Sequence, residues 1–181
     1  METNRVKLCE DIINTCLKMD TSGINQGTSG NLSVRYKNGF LITPSSMPYD
    51  EMKPEDIVEM NMDGEYVGKQ PSSEWRFHRD ILINRKDINV VLHCHPINAT
   101  AIACHNKDIP AFHYIVGLAG GKNIRCAKYA TFGTQELSDN ALIALENRMA
   151  CLLGHHGMIC LGKTFKDAFF LGCEVESMSK I

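Results

Sequence analysis

Membrane spans, a secretory leader and an excess of basic residues are all missing from this sequence. No apolar run approaches the roughly 18 residues that a membrane-spanning helix requires, and residues 1–7 lack the apolar core of a signal peptide. Lys and Arg number 19 against 21 Asp and Glu, so the formal net charge is -2, without the basic excess typical of nucleic-acid-binding domains. We therefore expect no membrane partner and no nucleic-acid partner, and instead a small ligand or another protein.

Cysteine pairs at the spacing of metal-binding or redox motifs are missing as well. The 8 cysteines form no Cys-x-x-Cys pair, and most of them lie among apolar neighbours, as reduced thiols in a protein core do. Together with the missing signal peptide, this pattern predicts a reducing, cytoplasmic location. Internal repeats and low-complexity linkers are also absent, so we expect residues 1–181 to form a single domain.

The most informative stretch is Val90–Pro96, an apolar run that ends in two histidines. In a strand, side chains alternate between the two faces, so His93 and His95 would share one face while Cys94 would point to the other. Two imidazoles side by side at the end of a strand are suitable ligands for a metal ion. Cys94 is expected in the core, which disfavours a structural zinc site rich in thiolates.

Further ligands must come from elsewhere, and two stretches of the chain supply candidates. The glycine-flanked pair His155 and His156 offers a third imidazole without distinguishing between the two, and Glu74 offers an oxygen. Three imidazoles and one oxygen ligand match Zn²⁺ best, with Mn²⁺ or Co²⁺ as alternative occupants. The other histidines, considered singly, are predicted to be ordinary core or surface residues: His78, His105 and His113.

Hydrophobic periodicity predicts helices interspersed with mostly antiparallel strands. The predicted helices are 5–19, one beginning near Trp75, 97–105, 136–146 and one beginning near Thr164. The predicted strands are 32–36, 41–43, 57–62, 66–67, 87–95, 151–153 and 158–161, with hairpin signals at Asn38-Gly39 and Asp63-Gly64. Residues 112–130 show no clear periodicity.

Two helix starts carry capping predictions. Ser72 or Ser73 is the predicted N-cap of the second helix, which would place Glu74 at its beginning. Pro96 suits the first turn of the third helix, because proline there lacks only a donor that the helix does not use.

Three short polar loops offer neutral donors of the kind that hold a phosphate group. The loop at 28–31, the pair Ser45-Ser46 and the pair Ser72-Ser73 all combine hydroxyls or amides with glycine or turn residues. Each loop by itself would pass for an ordinary turn or cap. Together they suggest that a phosphorylated substrate binds near the metal.

Several motifs along the chain also resemble those of a known family. They are Asn25–Asn31, Leu41–Pro44, Pro71–His78, His93-Cys94-His95, Ile109–Tyr114, Tyr129–Thr134 and His155-His156-Gly157. These motifs resemble the zinc-dependent class II aldolase and adducin head family, in register from about Lys7 to Glu176. The resemblance implies an α/β fold, a three-layer α/β/α sandwich around a mixed, largely antiparallel central sheet.

The resemblance also implies a role for each site residue. One Zn²⁺ per subunit would be bound by His93, His95 and His156, so the resemblance selects His156 over His155, and Glu74 would be the fourth ligand and the acid/base. The substrate phosphate would contact Thr28, Gly30, Asn31, Ser45, Ser46, Ser72 and Ser73. Family members usually carry glycine at the position of Ser46. Tyr114 would act catalytically at the site of a neighbouring subunit in a homotetramer. Family aldolases often carry a longer C-terminal tail that brings a further tyrosine near the site.

The implied reaction is the reversible cleavage of L-fuculose 1-phosphate, or a related deoxyketose 1-phosphate, to dihydroxyacetone phosphate and lactaldehyde or a similar small aldehyde. Two other reactions of the family remain as alternatives, those of the pentulose-phosphate 4-epimerases and the methylthioribulose-1-phosphate dehydratases. A non-catalytic scaffold like the adducin head is the alternative from a different class, although the four proposed ligands are present. Schiff-base chemistry is not expected, because lysines such as Lys122 and Lys128 fall in polar contexts.

Overall fold

One eight-stranded sheet with helices on both of its faces makes up the described part of the chain, residues 2–181 of the computed structural model. The helices are α1 (Glu2–Thr21), α2 (Trp75–Asn84), α3 (Ile97–Ala103), α4 (Gln135–Ala144) and α5 (Phe165–Lys180). The strands are β1 (Asn31–Tyr36), β2 (Gly39–Ile42), β3 (Val58–Asn61), β4 (Tyr66–Val67), β5 (Val90–Cys94), β6 (Arg125–Ala127), β7 (Ala150–Leu153) and β8 (Gly157–Gly162). Short 3₁₀ helices span Pro54–Asp56 and Tyr114–Ala119. No helix among residues 2–181 has both the length and the apolar content needed to cross a membrane.

The strand order is β4-β3-β2-β1-β5-β8-β7-β6, and every neighbouring pair is antiparallel except β6 and β7. The mixed, largely antiparallel sheet is therefore confirmed. The predicted hairpins connect β1 to β2 and β3 to β4. In the first, Tyr36 pairs with Gly39, and Lys37 takes up the positive φ of the turn at 49°. In the second, Gly64 has a φ of 93°, where a side chain would be strained.

Two hydrophobic cores lie on opposite faces of the sheet, which confirms the three-layer arrangement. Helices α1, α3 and α5 cover one face, where Leu92 and Cys94 are fully buried. Helices α2 and α4 cover the other, where Phe77 packs in the same cluster as Val91. Because neighbouring residues of β5 enter opposite cores, His93 lies on the Val91 side, and the predicted core position of Cys94 is confirmed.

The segment from 112 to 130 contains a strand that the sequence pattern did not reveal. Strand β6 is three residues long and pairs in parallel with β7, with Cys126 opposite Leu152. Three residues, one of them a half-buried arginine, are too few to establish a two-residue period. Pairing with a partner distant in sequence, rather than local propensity, determines this strand.

Three predicted boundaries were wrong in detail. Strand β5 begins at Val90 rather than at residue 87, so His95 lies just beyond its end, and Pro96 is the N-cap of α3 rather than part of its first turn. Neither Ser72 nor Ser73 caps α2, because Glu74 occupies the N-cap position. The amide of Ser72 instead donates to the carbonyl of Thr43 at 3.0 Å, which attaches this segment to the end of β2 and delays the start of the helix.

Candidate active site

Two adjacent strands bring three histidines together at one end of the sheet. His93 lies within β5 and is fully buried, and His95 follows the last residue of that strand. Strand β8 pairs with β5 so that Met158 stands opposite Cys94, which places the β7–β8 turn and His156 beside the end of β5. The ring centroids of His93, His95 and His156 are 4.8 Å apart in all three pairs.

Glu74 completes this cluster from the start of helix α2, which covers the face of the sheet on which His93 lies. It is 5% exposed at the N-cap of α2, with Oε2 3.0 Å from Nε2 of His93 and Oε1 3.4 Å from Nε2 of His156. The Nε2 atoms of His93 and His95 are 2.9 Å apart, and the four potential ligand atoms all lie within 4.8 Å of one another. Bonds of 2.0–2.2 Å to a tetrahedral ion need ligand separations of roughly 3.4 Å. The cluster can therefore hold a divalent metal.

Hydrogen bonding prepares the cluster for a cation. The carbonyl of Met158 can only accept, so Nδ1 of His93, 2.9 Å away, must carry the proton and leave a lone pair on Nε2. Among the described residues, Oε1 of Glu74 is buried without a hydrogen-bond partner, although buried carboxylate oxygens are normally satisfied. A cation bound among these atoms would satisfy that oxygen.

The charge states of the cluster also suit a metal site. Burial, reinforced by the charges of His93 and His156, lowers the pKa of His95 to about 3. Burial and the charge of His93 lower the pKa of His156 to about 4. Burial would raise the pKa of Glu74, but the positive charges that His93 and His156 carry when protonated, together with the hydrogen bond from Asn31, outweigh burial and lower it to about 2. Neutral imidazoles and an ionised carboxylate are the forms that bind metal ions.

A chain of hydrogen bonds leads from Glu74 into the core. The Asn31 side-chain amide donates to Oε2 of Glu74 at 3.1 Å, and its Oδ1 lies 2.6 Å from Nε2 of His78. Nδ1 of His78 lies 2.7 Å from the hydroxyl of Ser33. His78 is fully buried, as a core histidine would be, and burial together with the charge of His93 lowers its pKa to about 3, against the opposing effect of Glu74.

A cavity of about 350 Å³ opens beside the four clustered residues. Glu74, His95 and His156 form part of its wall. The structure also brings to this wall all the residues predicted to contact the phosphate: Thr28, Gly30, Asn31, Ser45, Ser46, Ser72 and Ser73. In the sequence these residues belong to separate loops. The pairing of β1 with β2 and β5, together with the position of the start of α2, brings the loops together.

At two positions of the cavity wall, the backbone restricts which side chain can be accommodated. A Cβ atom on Gly30 would come within 2.8 Å of the carbonyl of His93, so only glycine fits between the polar loop and β5. Ser46 has a φ of 56°, in the left-handed region that favours glycine. Glycine, which the family resemblance leads us to expect at the position of Ser46, would suit this backbone conformation.

Part of the cavity wall consists of residues that the sequence did not place in a substrate site. Tyr129, Phe132 and His155 also line it, and their signal was the motif at 129–134 together with the histidine pair. His155 is not in the four-residue cluster, because its Nε2 lies 2.7 Å from the side-chain amide of Asn106. Its ring meets that of Tyr129 edge to face, with centroids 5.8 Å apart.

Tyr114 is the one predicted site residue that lies neither in the four-residue cluster nor at the wall of this cavity. It begins the 3₁₀ helix at Tyr114–Ala119, is 87% exposed and packs beside the ring of His113. The residues around the 350 Å³ cavity do not include it. Tyr114 therefore does not serve the site of its own chain in this conformation.

Comparison with known proteins identifies the wider group to which these features belong. The model of the class II aldolase and adducin N-terminal domain family matches residues 10–181. The chain is 50% identical over 181 residues to a Rhodospirillum rubrum protein named 5-methylthioribulose-1-phosphate/5-deoxyribulose-1-phosphate aldolase, a match that covers 99% of this chain and 82% of that protein. It is 48% identical over 182 residues to the L-fuculose phosphate aldolase of Escherichia coli, covering 100% of this chain and 84% of the relative.

Solved structures share the fold. One L-fuculose 1-phosphate aldolase superposes with a TM-score of 0.93 at 39% identity, covering 96% of this chain and 84% of that one. The L-fuculose-1-phosphate aldolase of Thermus thermophilus superposes with a TM-score of 0.84 at 27% identity, covering 96% of this chain and 91% of that one. The likeness thus extends over nearly all of the chain, including every element that contributes to the cavity.

Proposed function

This chain belongs to the class II aldolase and adducin N-terminal domain family, and from that premise we propose that it is a zinc-dependent aldolase of ketose 1-phosphates. It is an enzyme of the aldolase class, since its relatives are named aldolases. The observation that carries the finer proposal is the cluster of Glu74, His93, His95 and His156 beside a cavity rich in hydroxyls. The proposed products are dihydroxyacetone phosphate and lactaldehyde or a similar small aldehyde.

The proposed phosphate position is at the hydroxyl-bearing loops that line the same cavity as the metal cluster. Hydroxyls of Thr28, Ser45, Ser72 and Ser73 are neutral donors, which suit a dianion that must also be released after the reaction. The close approach of Gly30 to His93 keeps the polar loop near the cluster. A ketose 1-phosphate held by its phosphate would thus present its carbonyl to the metal.

The residues present fit a divalent cation, because the potential ligand atoms of the three histidines and Glu74 converge and because Oε1 of Glu74 has no hydrogen-bond partner. His93, His95, His156 and Glu74 would hold it, and when bound it supplies Lewis-acid polarisation of the ketose carbonyl and the adjacent hydroxyl. Three neutral imidazoles with one oxygen favour Zn²⁺ over harder ions that prefer all-oxygen sites.

Glu74 is the proposed acid/base. In the direction of synthesis its ionised carboxylate takes a proton from the hydroxymethyl carbon of dihydroxyacetone phosphate, which leaves the enediolate. That carbon then forms a bond to the aldehyde carbon, and the aldehyde oxygen receives a proton to become the new hydroxyl. Cleavage runs the same steps backwards, so Glu74 returns its proton to carbon after the bond between C3 and C4 has broken.

The donor to the aldehyde oxygen is proposed to be Tyr114 from a neighbouring subunit of a homotetramer. Its 87% exposed side chain lies among other exposed apolar residues, Phe112 at 45% and Leu118 at 48%, which is typical of a surface that meets a partner. Mixing a Glu74→Gln preparation with a Tyr114→Phe preparation tests this arrangement. After subunit exchange, mixed tetramers should regain activity that neither preparation has, whereas additive residual rates would contradict a shared site.

The relatives favour two substrates, which differ in the aldehyde half. L-Fuculose 1-phosphate is the leading candidate, and 5-deoxyribulose 1-phosphate or its 5-methylthio analogue is the second, because the 50% identical relative is named for those compounds. Both candidates release dihydroxyacetone phosphate, so the proposed chemistry is common to them. A cytoplasmic location is proposed as well, supported by the eight free cysteines found among residues 2–181.

The decisive experiment is a coupled assay for dihydroxyacetone phosphate with a panel of these ketose 1-phosphates. The Zn²⁺-loaded protein should cleave at least one of them, and a chelator should abolish the reaction until Zn²⁺ is restored. Glu74→Gln should lower kcat about 10²- to 10⁴-fold, the usual range for a lost acid/base. The matched control His105→Gln alters an exposed histidine outside the four-residue cluster and outside the cavity wall, and it should leave the rate unchanged.

Other outcomes of the same assay would redirect the assignment. Formation of an epimeric pentulose phosphate, or loss of water from methylthioribulose 1-phosphate, without dihydroxyacetone phosphate would contradict the proposed aldol cleavage. A full rate for Glu74→Gln would contradict its acid/base role. Purified protein that binds no stoichiometric divalent metal would favour the scaffold alternative.

A further inference from the structure

Four buried polar side chains form a continuous path from the sheet to the metal cluster. Ser33 and His78 are 0% exposed, and Asn31 and Glu74 are each 5% exposed. Ser33 and Asn31 project from β1, and His78 projects from α2 between them. Polar groups this deep are costly unless each is satisfied, so the direction of every hydrogen bond in the path matters.

The chemistry of the acceptors determines those directions. An ionised Glu74 can only accept, so Asn31 must present its NH₂ group to Oε2 across the 3.1 Å contact. Oδ1 of Asn31 then faces His78, whose Nε2 must carry the proton across 2.6 Å. Nδ1 of the same neutral imidazole is left as an acceptor for the hydroxyl of Ser33 at 2.7 Å. One tautomer of one histidine thus orients the amide that holds the carboxylate.

We propose that His78 is a positioning residue that, by donating from Nε2, orients Asn31 and so sets the position of the Glu74 carboxylate at the metal cluster. The inference rests on the proposed function, because it assigns a purpose to the position of Glu74. If the donor at position 78 were absent, the Asn31 amide could rotate and turn Oδ1 toward Glu74. Two acceptors would then face each other, and the carboxylate would move away from His93.

Packing alone does not require an imidazole here. The ring of His78 stacks on Phe77 with centroids 4.6 Å apart, and an apolar side chain of similar size would keep that contact. What an apolar side chain cannot supply is the proton for Asn31 and the acceptor for Ser33. The two polar functions can be separated by mutation, because the amide nitrogen of glutamine reaches the place of Nε2 whereas asparagine reaches only that of Nδ1.

The test compares His78→Gln with His78→Asn, both prepared as full-length protein and matched by thermal denaturation of the metal-free form. Zn²⁺ affinity is measured by chelator competition, and kcat and KM are measured on the substrate that the wild type cleaves. His78→Asn should lose roughly 10- to 100-fold in Zn²⁺ affinity and in kcat with KM changed far less, and His78→Gln should stay within about threefold of wild type. Equal losses in the two variants, or losses that follow melting temperature alone, would overturn the proposal.

A spectroscopic readout that needs no activity completes the test. In metal-free protein labelled with ¹⁵N at histidine, His78 should give the chemical shifts of a neutral ring protonated at Nε2. A ring protonated at Nδ1 would overturn the proposal. Failure of the proposed function is distinguishable, because then the wild type itself would cleave no ketose phosphate while the difference in Zn²⁺ affinity between the two variants persisted.

Discussion

Glu176 on α5 holds the first turn of α3, the helix that begins two residues after His95. One carboxylate oxygen accepts from the backbone and side-chain amides of Asn98 at 3.0 and 2.7 Å, and the other accepts from the amide of Ala99 at 2.9 Å. Pro96, the N-cap residue of α3, has no side chain that can accept from the free amides of the first turn. The acceptor is therefore supplied by Glu176 from a helix that is distant in sequence. Replacing Glu176 with glutamine should therefore loosen both α3 and the segment that carries His95.

The size of the effect follows from these contacts. Glutamine retains one acceptor oxygen, so it can still serve Asn98, but its NH₂ group would face the amide of Ala99, a residue that is 0% exposed. A buried donor left unsatisfied costs about 1–3 kcal/mol, and the lost negative charge at a helix start adds about 0.3–1 kcal/mol. We expect a loss of about 2–3 kcal/mol, which for a domain of this size lowers Tm by roughly 4–12 °C.

The measurement is urea and thermal denaturation of Glu176→Gln beside Glu174→Gln, which removes a charge from the same helix. Among the described residues Glu174 forms no ion pair or side-chain hydrogen bond, so its variant should lie within about 0.5 kcal/mol of wild type. Chelator competition should show weaker Zn²⁺ binding for Glu176→Gln alone. Equal stabilities for the two variants would refute the reasoning.

Two further predictions concern the cavity wall and the contact between α2 and α4. Ser46 has a φ of 56° and Ser45 lies outside the left-handed region, so Ser46→Gly should be more stable than Ser45→Gly by about 1–2 kcal/mol in urea denaturation, and equal stabilities would argue against strain at Ser46. Asp80 accepts from Gln135 and from the buried hydroxyl of Ser138, both at 2.7 Å, so Asp80→Ala should cost about 2–3 kcal/mol at pH 7. Burial would raise the pKa of Asp80, but its hydrogen bonds and Arg79 outweigh burial and lower it from 3.8. The contribution is therefore present above about pH 4 and lost as pH falls through the folded-state pKa, so the difference from wild type should shrink at pH 3, and a constant difference would contradict the ionic role.

The strands and helices with clear periods could be predicted from the sequence because their patterns are local. The two-residue period of β5 was enough to place His93 on one face and Cys94 on the other, and the structure confirms the core position of Cys94. The same reasoning could not reveal β6, which is short and exists because β7 pairs with it. It also misplaced the start of α2, because the amide of Ser72 bonds to the end of β2.

By itself the sequence determined the chemistry available to this protein: paired imidazoles at a strand end, a nearby carboxylate, three hydroxyl-bearing loops and the family motifs that connect them. Tertiary structure alone decided which atoms meet. The register of β5 against β8 brings His156 to His93, the pairing of His155 with Asn106 leaves it outside the cluster, and the packing of α2 on β1 joins His78 to Asn31. Those contacts join residues 47 to 63 positions apart, and no local period encodes a distance across a sheet.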